Sequence, residues 1–595
     1  MFEPIEISFS YIKNGIPNRA VFKKSFHHHD FTAEVQITEN GYRRLQISLI
    51  PTSGLEITNI QVAWDFPFHE DHRIFVNGYQ SWTDSREFFP DEKLKGISIL
   101  ATPILERYQL TKYGDYTFYK YPCKKGVFHG YTYSYIRSGR EFYLVGSLSE
   151  RNGFTVIEEY VKQRKIIIKK ECSGLQINRR YDVFDLVSIE GAENDVFDRY
   201  FQLMNLPTRL PARIITGWSS WYNYFQNINQ EIILKNLANF DRINPKIDIF
   251  QIDDGYQTAV GDWFSINKDK FPSGMKFSAA AIKAKGYKAG IWLAPFACER
   301  NSVIFREKPD WFVKDKKGRP FPAGFNWSGF YSLDFYHPDV RAHLKKVFQM
   351  VFDDWGYDLV KLDFLYAVCL LPGKHRTRGQ IMTEAMEFLR ECAGDKLILG
   401  CGVPLGPAFG MVDFCRIGCD IRLDWDDNFL VRLLANRERD STLNAIQNTI
   451  GRRQLNQRVF VNDPDVFLLR DDNIKLSEIQ RKTLSFVDYI FGGLLFTSDD
   501  IHNYSRELNT RLEKIFRPET RTVEQVESLR NGLVKVLYTE RGQRRLALIN
   551  LSNREVAFSN PYGTMTEISF FNQEINTIKA VRIIIAAFDS RIFRV

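Results

Sequence analysis

The stretch Leu359-Val360-Lys361-Leu362-Asp363-Phe364-Leu365-Tyr366 carries a short apolar strand into a lysine and a carboxylate two residues apart. Side chains two apart on a strand share a face, so Lys361 and Asp363 point the same way at its end. A buried, unpaired carboxylate is costly. Asp363 is therefore expected to be held ionised by Lys361 and a partly solvated cleft, which suits a nucleophile.

Outward from this strand, seven more short apolar runs alternate with amphipathic helices: Ile215–Trp218, Ile247–Ile252, Ala289–Leu293, Leu397–Gly400, Phe414–Ile417, Val459–Val461 and Leu494–Phe496. Between them Glu231–Phe240, Pro338–Trp355, Gly379–Ala393 and Ser477–Phe491 repeat apolar residues at helical spacing. Eight such units predict a (β/α)8 TIM barrel, expected over residues 206–516. Residues 1–205 hold β-type runs separated by turn residues and predict an N-terminal β-sandwich. The prolines of Leu206-Pro207-Thr208-Arg209-Leu210-Pro211 mark the linker. Strand-like runs return over 517–595 and predict a small C-terminal β-sandwich. The fold class is thus a multidomain α/β protein, as 595 residues require more than one core.

Composition narrows the function. The 80 basic and 72 acidic residues, net charge +8, are interspersed, which argues for a solvated surface and against a nucleic-acid partner. The start, Met1-Phe2-Glu3-Pro4-Ile5-Glu6, has no basic segment followed by an apolar one, and no run approaches membrane-spanning length. No membrane partner and a cytoplasmic location are expected. Eight cysteines (123, 172, 298, 369, 392, 401, 415, 419) form no CxxC pair and read as reduced thiols. The run His27-His28-His29 reads as an exposed strand or turn, so no metal is expected.

The chemistry of a barrel gathers where its strands end. Here the exits read Trp218-Ser219-Ser220-Trp221-Tyr222-Asn223-Tyr224, Asp253-Asp254-Gly255-Tyr256, Trp292 before Ala294-Pro295-Phe296, Lys361 with Asp363, Cys401-Gly402, Arg416 then Asp420, Asn462-Asp463-Pro464-Asp465, and Ser498-Asp499-Asp500. Carboxylates and tryptophans at one rim describe a sugar site. Glycosidic bond cleavage needs two flanking carboxylates, and Asp363 and Asp420 stand two strands apart around the mouth. The plainer alternatives are ion pairs with Lys361 or Arg416 for these two, helix capping for Asp253 or Asp254, and core packing for Trp218, Trp221 and Trp292. Trp218 reads as core. Asp463, Asp465, Asp499 and Asp500 read as braces of the rim, and His375 and Arg376 as a solvated loop.

Six motifs, in order, resemble family 36 glycoside hydrolases, the α-galactosidases of clan D, and most closely their shorter bacterial members. They are Trp218–Phe225, Gln251–Tyr256, Gly290–Phe296, Lys361–Leu365, Leu399–Gly402 and Arg416–Asp420. By position, the resemblance implies Asp363 as nucleophile and Asp420 as general acid/base. It implies Asp253 and Asp254 on the 4- and 6-hydroxyls, Trp292 on the apolar sugar face, Lys361 and Arg416 on ring hydroxyls, and Cys401 beside the 2-hydroxyl. Trp221 joins the substrate-binding set. Asn77-Gly78-Tyr79-Gln80-Ser81-Trp82 resembles the family loop that carries a tryptophan over the site, so Trp82 is expected to close the pocket.

The expected activity is retaining hydrolysis of terminal α-galactose from oligosaccharides, without cofactor. The alternatives are an α-N-acetylgalactosaminidase, a raffinose-synthase-like galactosyl transferase, an Asp-rich metal-binding barrel, or a non-catalytic carbohydrate-binding protein. Sandwich faces or the long helices could build a homo-oligomer.

Overall fold

The computed structural model describes residues 5–98, 101–172, 175–207, 210–211, 213–244, 246–373, 375–427, 436–570 and 574–595. Met1–Pro4 and the linker residues Thr208 and Arg209 lie outside them.

Two antiparallel sheets of seven and eight strands occupy residues 6–192. Alternation sets their facing: Lys165–Lys170 buries Ile166, Ile168 and Lys170 and leaves the residues between them half-exposed. The apolar faces enclose a core that includes Ile7, Phe9, Ile47, Leu49, Ile60, Val62, Ile157 and Ile168. Helix α1, Glu193–Leu203, follows. Its buried stripe of Val196, Phe197, Tyr200 and Phe201 packs Phe197 on Tyr133 and Phe142 of the eight-stranded sheet, and Phe201 on Phe409 beyond it.

Eight parallel strands form the centre: β1 Ile215–Ser219, β2 Ile249–Ile252, β3 Lys288–Leu293, β4 Leu359–Leu362, β5 Leu397–Gly400, β6 Phe414–Arg416, β7 Val461–Asp463 and β8 Leu494–Thr497. Pairing runs β7-β6-β5-β4-β3-β2-β1-β8, and Val466–Phe467 then pairs with β8. The strand that begins as β7 thus breaks at Pro464-Asp465, where Asp465 has φ 92°, and its two halves bond to the two neighbours that close the barrel. Proline has no N–H for a ladder, so the break falls where it costs least.

Strand β7 lies two residues later than the apolar run predicts. Asn462 and Asp463 belong to it although they are polar, because they are bonded inside: Asn462 donates to the Arg452 carbonyl (3.1 Å) and Asp463 accepts from Arg416 (3.1 Å). Around the strands lie α2 Gln230–Asn239, α3 Gly274–Ala284, α4 Pro338–Gln349, α5 Arg378–Ala393, α6 Thr442–Gly451 and α7 Glu478–Phe491. Helices α5 and α7 begin with reciprocal capping boxes, Thr377 with Gln380 and Ser477 with Gln480.

The C-terminal part is a six-stranded antiparallel sheet and a two-stranded one over Arg521–Arg594. It leans on α7: Tyr489 donates to Glu540 (2.8 Å) and stacks under Arg521. We propose domain limits of 1–205, 206–516 and 517–595, as the sequence suggests. All eight cysteines are free, and no described helix is long and apolar enough to cross a membrane.

Glu159 is an exception in the N-terminal core. It is 1% exposed, on the same strand face as Ile157, and neither carboxylate oxygen has a hydrogen bond, the nearby Ser134 hydroxyl being given to the Phe75 carbonyl. Burial pushes its carboxyl up to about 8. A carboxyl raised on folding contributes stability that is complete below its unfolded value and lost as pH rises through the folded one. Glu159→Gln should therefore flatten the fall in stability between pH 5 and pH 8, a gain on the order of a few kcal/mol at pH 8. Chemical denaturation at both pH values checks this; equal gains at both would refute it.

Candidate active site

A cavity of about 620 Å³ opens at the C-terminal ends of the barrel strands. Eight of the ten residues singled out in the sequence line it: Trp82, Trp221, Asp253, Asp254, Trp292, Lys361, Asp363 and Asp420. Cys401 and Arg416 stand behind the wall.

The floor is built by β2, β3 and β4. Lys361 donates to Asp253 (2.9 Å), whose same oxygen accepts from Gln251 (2.9 Å) while its other accepts from the Asp254 N–H (2.9 Å). Neither aspartate caps a helix. Burial works against the Lys361 ammonium, but Asp253 and then Asp363 overcome it and hold its pKa above the ordinary value. Asp254 is fixed by Gln257 (2.5 Å), Gln226 (2.8 Å) and the indole of Trp327 (2.9 Å); burial still pushes its carboxyl up.

Asp363 follows β4 directly. One oxygen accepts from the Trp292 indole (3.1 Å) and the other from the Phe364 N–H (2.8 Å), where Phe364 takes a left-handed conformation, φ 53°. Burial raises its pKa and the Asp420 charge adds to this; Lys361, Trp292 and the Cys401 thiol oppose them. Asp420 is the more open carboxylate, its side chain 35% exposed, at 2.7 Å from Arg416. Arg416 also meets Asp463 (3.1 Å) and Asp465 (2.8 Å), so its guanidinium is committed to three carboxylates, of which Asp420 alone lines the cavity.

Trp82 reaches the cavity from the N-terminal sandwich. Its indole donates to the Cys401 sulfur (3.4 Å), and its ring packs edge-on against Phe364 and Tyr366. Gly402 (φ +57°) makes room, since a Cβ there would stand 2.8 Å from the ring. The loop before Trp82 rests on Arg452, at the end of α6. This fully buried side chain donates to Asn77 Oδ1 (3.1 Å) and to the carbonyls of Ser81 (2.6 Å), Ile417 (2.9 Å), Gln80 (3.1 Å) and Gly78 (3.3 Å). Among the described residues no carboxylate pairs with it, and burial pushes its pKa down to about 10. Arg452→Lys keeps a cation but loses the planar fork. It should raise KM for a galactoside about 10-fold, the worth of roughly one charged hydrogen bond, with kcat changed little. An unchanged KM would show that the loop holds itself.

Several cavity residues escaped the sequence reading: Tyr113, Phe325, Asn326, Trp327, Phe364, Ile421, Arg422 and Asp440. Trp327, between Asn326 and Ser328, lies in a turn-rich stretch that could have marked a rim loop; it faces Trp292 and Phe364. Asp499 accepts from Leu469, Arg470 and Tyr504, as a brace of the rim does, and in the loop after β4 the half-exposed Arg376 pairs with Glu384. Trp218 is fully buried and stacked on Phe250. His28, His29 and Asp30 bring ligand atoms within 4.8 Å of one another, but Asp30 is already held by Lys13 and Tyr11.

A parallel barrel whose mouth gathers carboxylates and tryptophans is the arrangement that cleavage of a glycosidic bond needs. Residues 203–387 match the Melibiase family model. Over 207 residues the chain is 28% identical to the A type blood alpha-D-galactosamine galactosaminidase of Flavonifractor plautii, covering 31% of this chain and 19% of that protein. Over 179 residues it is 25% identical to an α-galactosidase of Escherichia coli, 29% of this chain and 24% of that one. The matches thus span a quarter or less of these relatives' lengths. The solved α-galactosidase TtGalA of Thermus thermophilus, in complex with p-nitrophenyl α-D-galactopyranoside, superposes with a TM-score of 0.68 at 27% identity, over 88% of this chain and 98% of that one. AgaA of Geobacillus stearothermophilus, at 11% identity, shares the fold (TM-score 0.63, 98% of this chain and 89% of that one). The chain is thus similar to the Melibiase family over residues 203–387 and to an α-galactosidase of known structure over most of its length.

Proposed function

We propose that the protein is a retaining α-galactosidase that releases terminal α-linked galactose from oligosaccharides by double displacement. The observation that carries this reading is Asp363: a carboxylate on the cavity floor, fixed by Trp292 and the Phe364 N–H beside the Lys361 ammonium, with a second, more open carboxylate, Asp420, in the same cavity. Asp363 attacks C1 while Asp420 protonates the departing oxygen; Asp420 then takes a proton from water, which attacks C1 and frees Asp363. Asp253 and Asp254, acceptors presented to the cavity, bind the 4- and 6-hydroxyls, with Lys361 beside them. Trp292 and Trp221 cover apolar sugar faces, and Trp82 closes the pocket. Arg416 acts on the sugar through Asp420, which it orients, and Cys401 through Asp363 and Trp82.

The test is hydrolysis of p-nitrophenyl α-galactoside, with the first anomer followed by proton NMR. Release of α-galactose supports the reading, and first release of the β anomer overturns the retaining mechanism. The Flavonifractor relative, named for a galactosaminidase, favours a second reading in which a 2-amino or 2-acetamido sugar is the substrate. The corresponding p-nitrophenyl glycosides separate the two by kcat/KM.

A further inference from the structure

A general acid has to be aimed, since a displacement of about 1 Å at a reacting group can cost on the order of 10²-fold in rate. Asp420 has no helix or strand of its own to aim it. It stands beyond the end of β6, and its side chain is 35% exposed. Arg416 holds its carboxylate at 2.7 Å, and the Ser441 N–H holds its carbonyl at 3.0 Å. Arg416 is itself kept in place from behind the cavity wall, and so is the backbone directly after Asp420.

Both supports lead to Asp465. Its Oδ1 stands 2.8 Å from Arg416. Its Oδ2 accepts from the N–H of Ile421 (2.9 Å), the residue next to Asp420, and from the Tyr222 hydroxyl. Its own N–H donates to one oxygen of Asp463 (3.0 Å), whose other oxygen accepts from Arg416 (3.1 Å). Each carboxyl oxygen thus reaches Asp420 through one intermediate residue, by way of its side chain and by way of its backbone. Asp465 is 2% exposed and lies outside the cavity lining, so it does not meet the sugar. Its φ of 92°, at the break after Pro464, lies in the region that favours glycine. Glycine would turn the chain there with less strain, and strain held in place by buried contacts gathers at functional sites.

We propose that Asp465 is the positioning residue of the general acid: through Arg416 and Ile421 it fixes the direction in which Asp420 presents its proton to the departing oxygen. This rests on the reading of Asp420 as the acid of an α-galactosidase and gives Asp465 a part beyond bracing the rim.

The experiment is Asp465→Gly, read on two substrates through kcat/KM, which reports the step in which the leaving group departs. Glycine adopts this φ freely, so the turn is kept while the carboxyl is removed. The value for melibiose, whose leaving oxygen needs a proton, should fall about 10-fold or more beyond the fall for p-nitrophenyl α-galactoside, whose leaving group needs none. In an Asp420→Ala background the same substitution should add nothing to the melibiose loss, because residues that act through one group are not additive. Asp465→Asn accepts at only one of the two oxygen positions and should move the ratio the same way by less; it serves in place of the glycine variant if that one does not fold. Equal falls on both substrates, an unchanged ratio, or a further melibiose loss in the double variant overturns the inference alone and leaves Asp465 a brace of the strand break. If Asp420→Ala itself does not distinguish the two substrates, the general-acid reading fails and this inference with it. A wild-type protein inert on both galactosides overturns the α-galactosidase reading.

Discussion

Asp363→Ala is expected to lower kcat on p-nitrophenyl α-galactoside by at least ~10⁴-fold, because the covalent intermediate can no longer form. The fold should survive. The carboxylate lines the cavity floor, and its removal leaves Lys361 still paired with Asp253 at 2.9 Å. Azide, small and anionic, can enter the vacated space and attack C1 from the same side, so the variant should regain activity in azide and yield β-galactosyl azide. Wild-type turnover in Asp363→Ala would remove the nucleophile assignment. Loss without azide rescue, in a protein with unchanged circular dichroism, would suggest that the carboxylate only orders the floor. The wild-type rate should also fall on the acid side at a pH above the usual carboxylate range. Burial raises the Asp363 pKa, and a nucleophile must be ionised.

Asp420→Ala should be selective among substrates. A general acid contributes about 10²–10⁴-fold where the leaving oxygen needs a proton. Melibiose or an alkyl galactoside should lose that much, whereas p-nitrophenolate leaves unaided and its galactosylation step should be slowed far less. Equal losses on all substrates would count against the acid role and for a structural one through Arg416, which Asp420 meets at 2.7 Å.

How much of this could be read from the residues depends on range. Strand β4 was legible because its signal is local, an apolar run ending in Lys361 and Asp363 on one face. The same holds for the exits of β2 and β3. Strand β7 was misplaced by two residues because its polar Asn462 and Asp463 looked like a loop; their partners, Arg452 and Arg416, lie 10 and 47 residues away. Arg452 was beyond reach altogether. At the end of a helix a basic residue ordinarily reads as a partner of the helix dipole, and nothing nearby announces that four of its five acceptors are 371 to 375 residues upstream. Trp82 was placed by resemblance, not by local pattern. Trp327 and Phe364 were missed as site residues because their left-handed backbone is imposed by the surrounding fold, with no glycine to announce it.

The gathering of aromatics has an optical consequence. Of the ten tryptophans in the chain, four, Trp82, Trp221, Trp292 and Trp327, line this one cavity at the barrel mouth. Indole emission responds to polarity and to nearby quenching groups. Filling the cavity replaces water at four of the ten emitters and touches the hydrogen bonds that Trp82, Trp292 and Trp327 make to Cys401, Asp363 and Asp254. The protein thus carries its own label: a blue shift of its ultraviolet fluorescence on adding galactose would report occupancy without turnover, in the Asp363→Ala variant as readily as in the wild type.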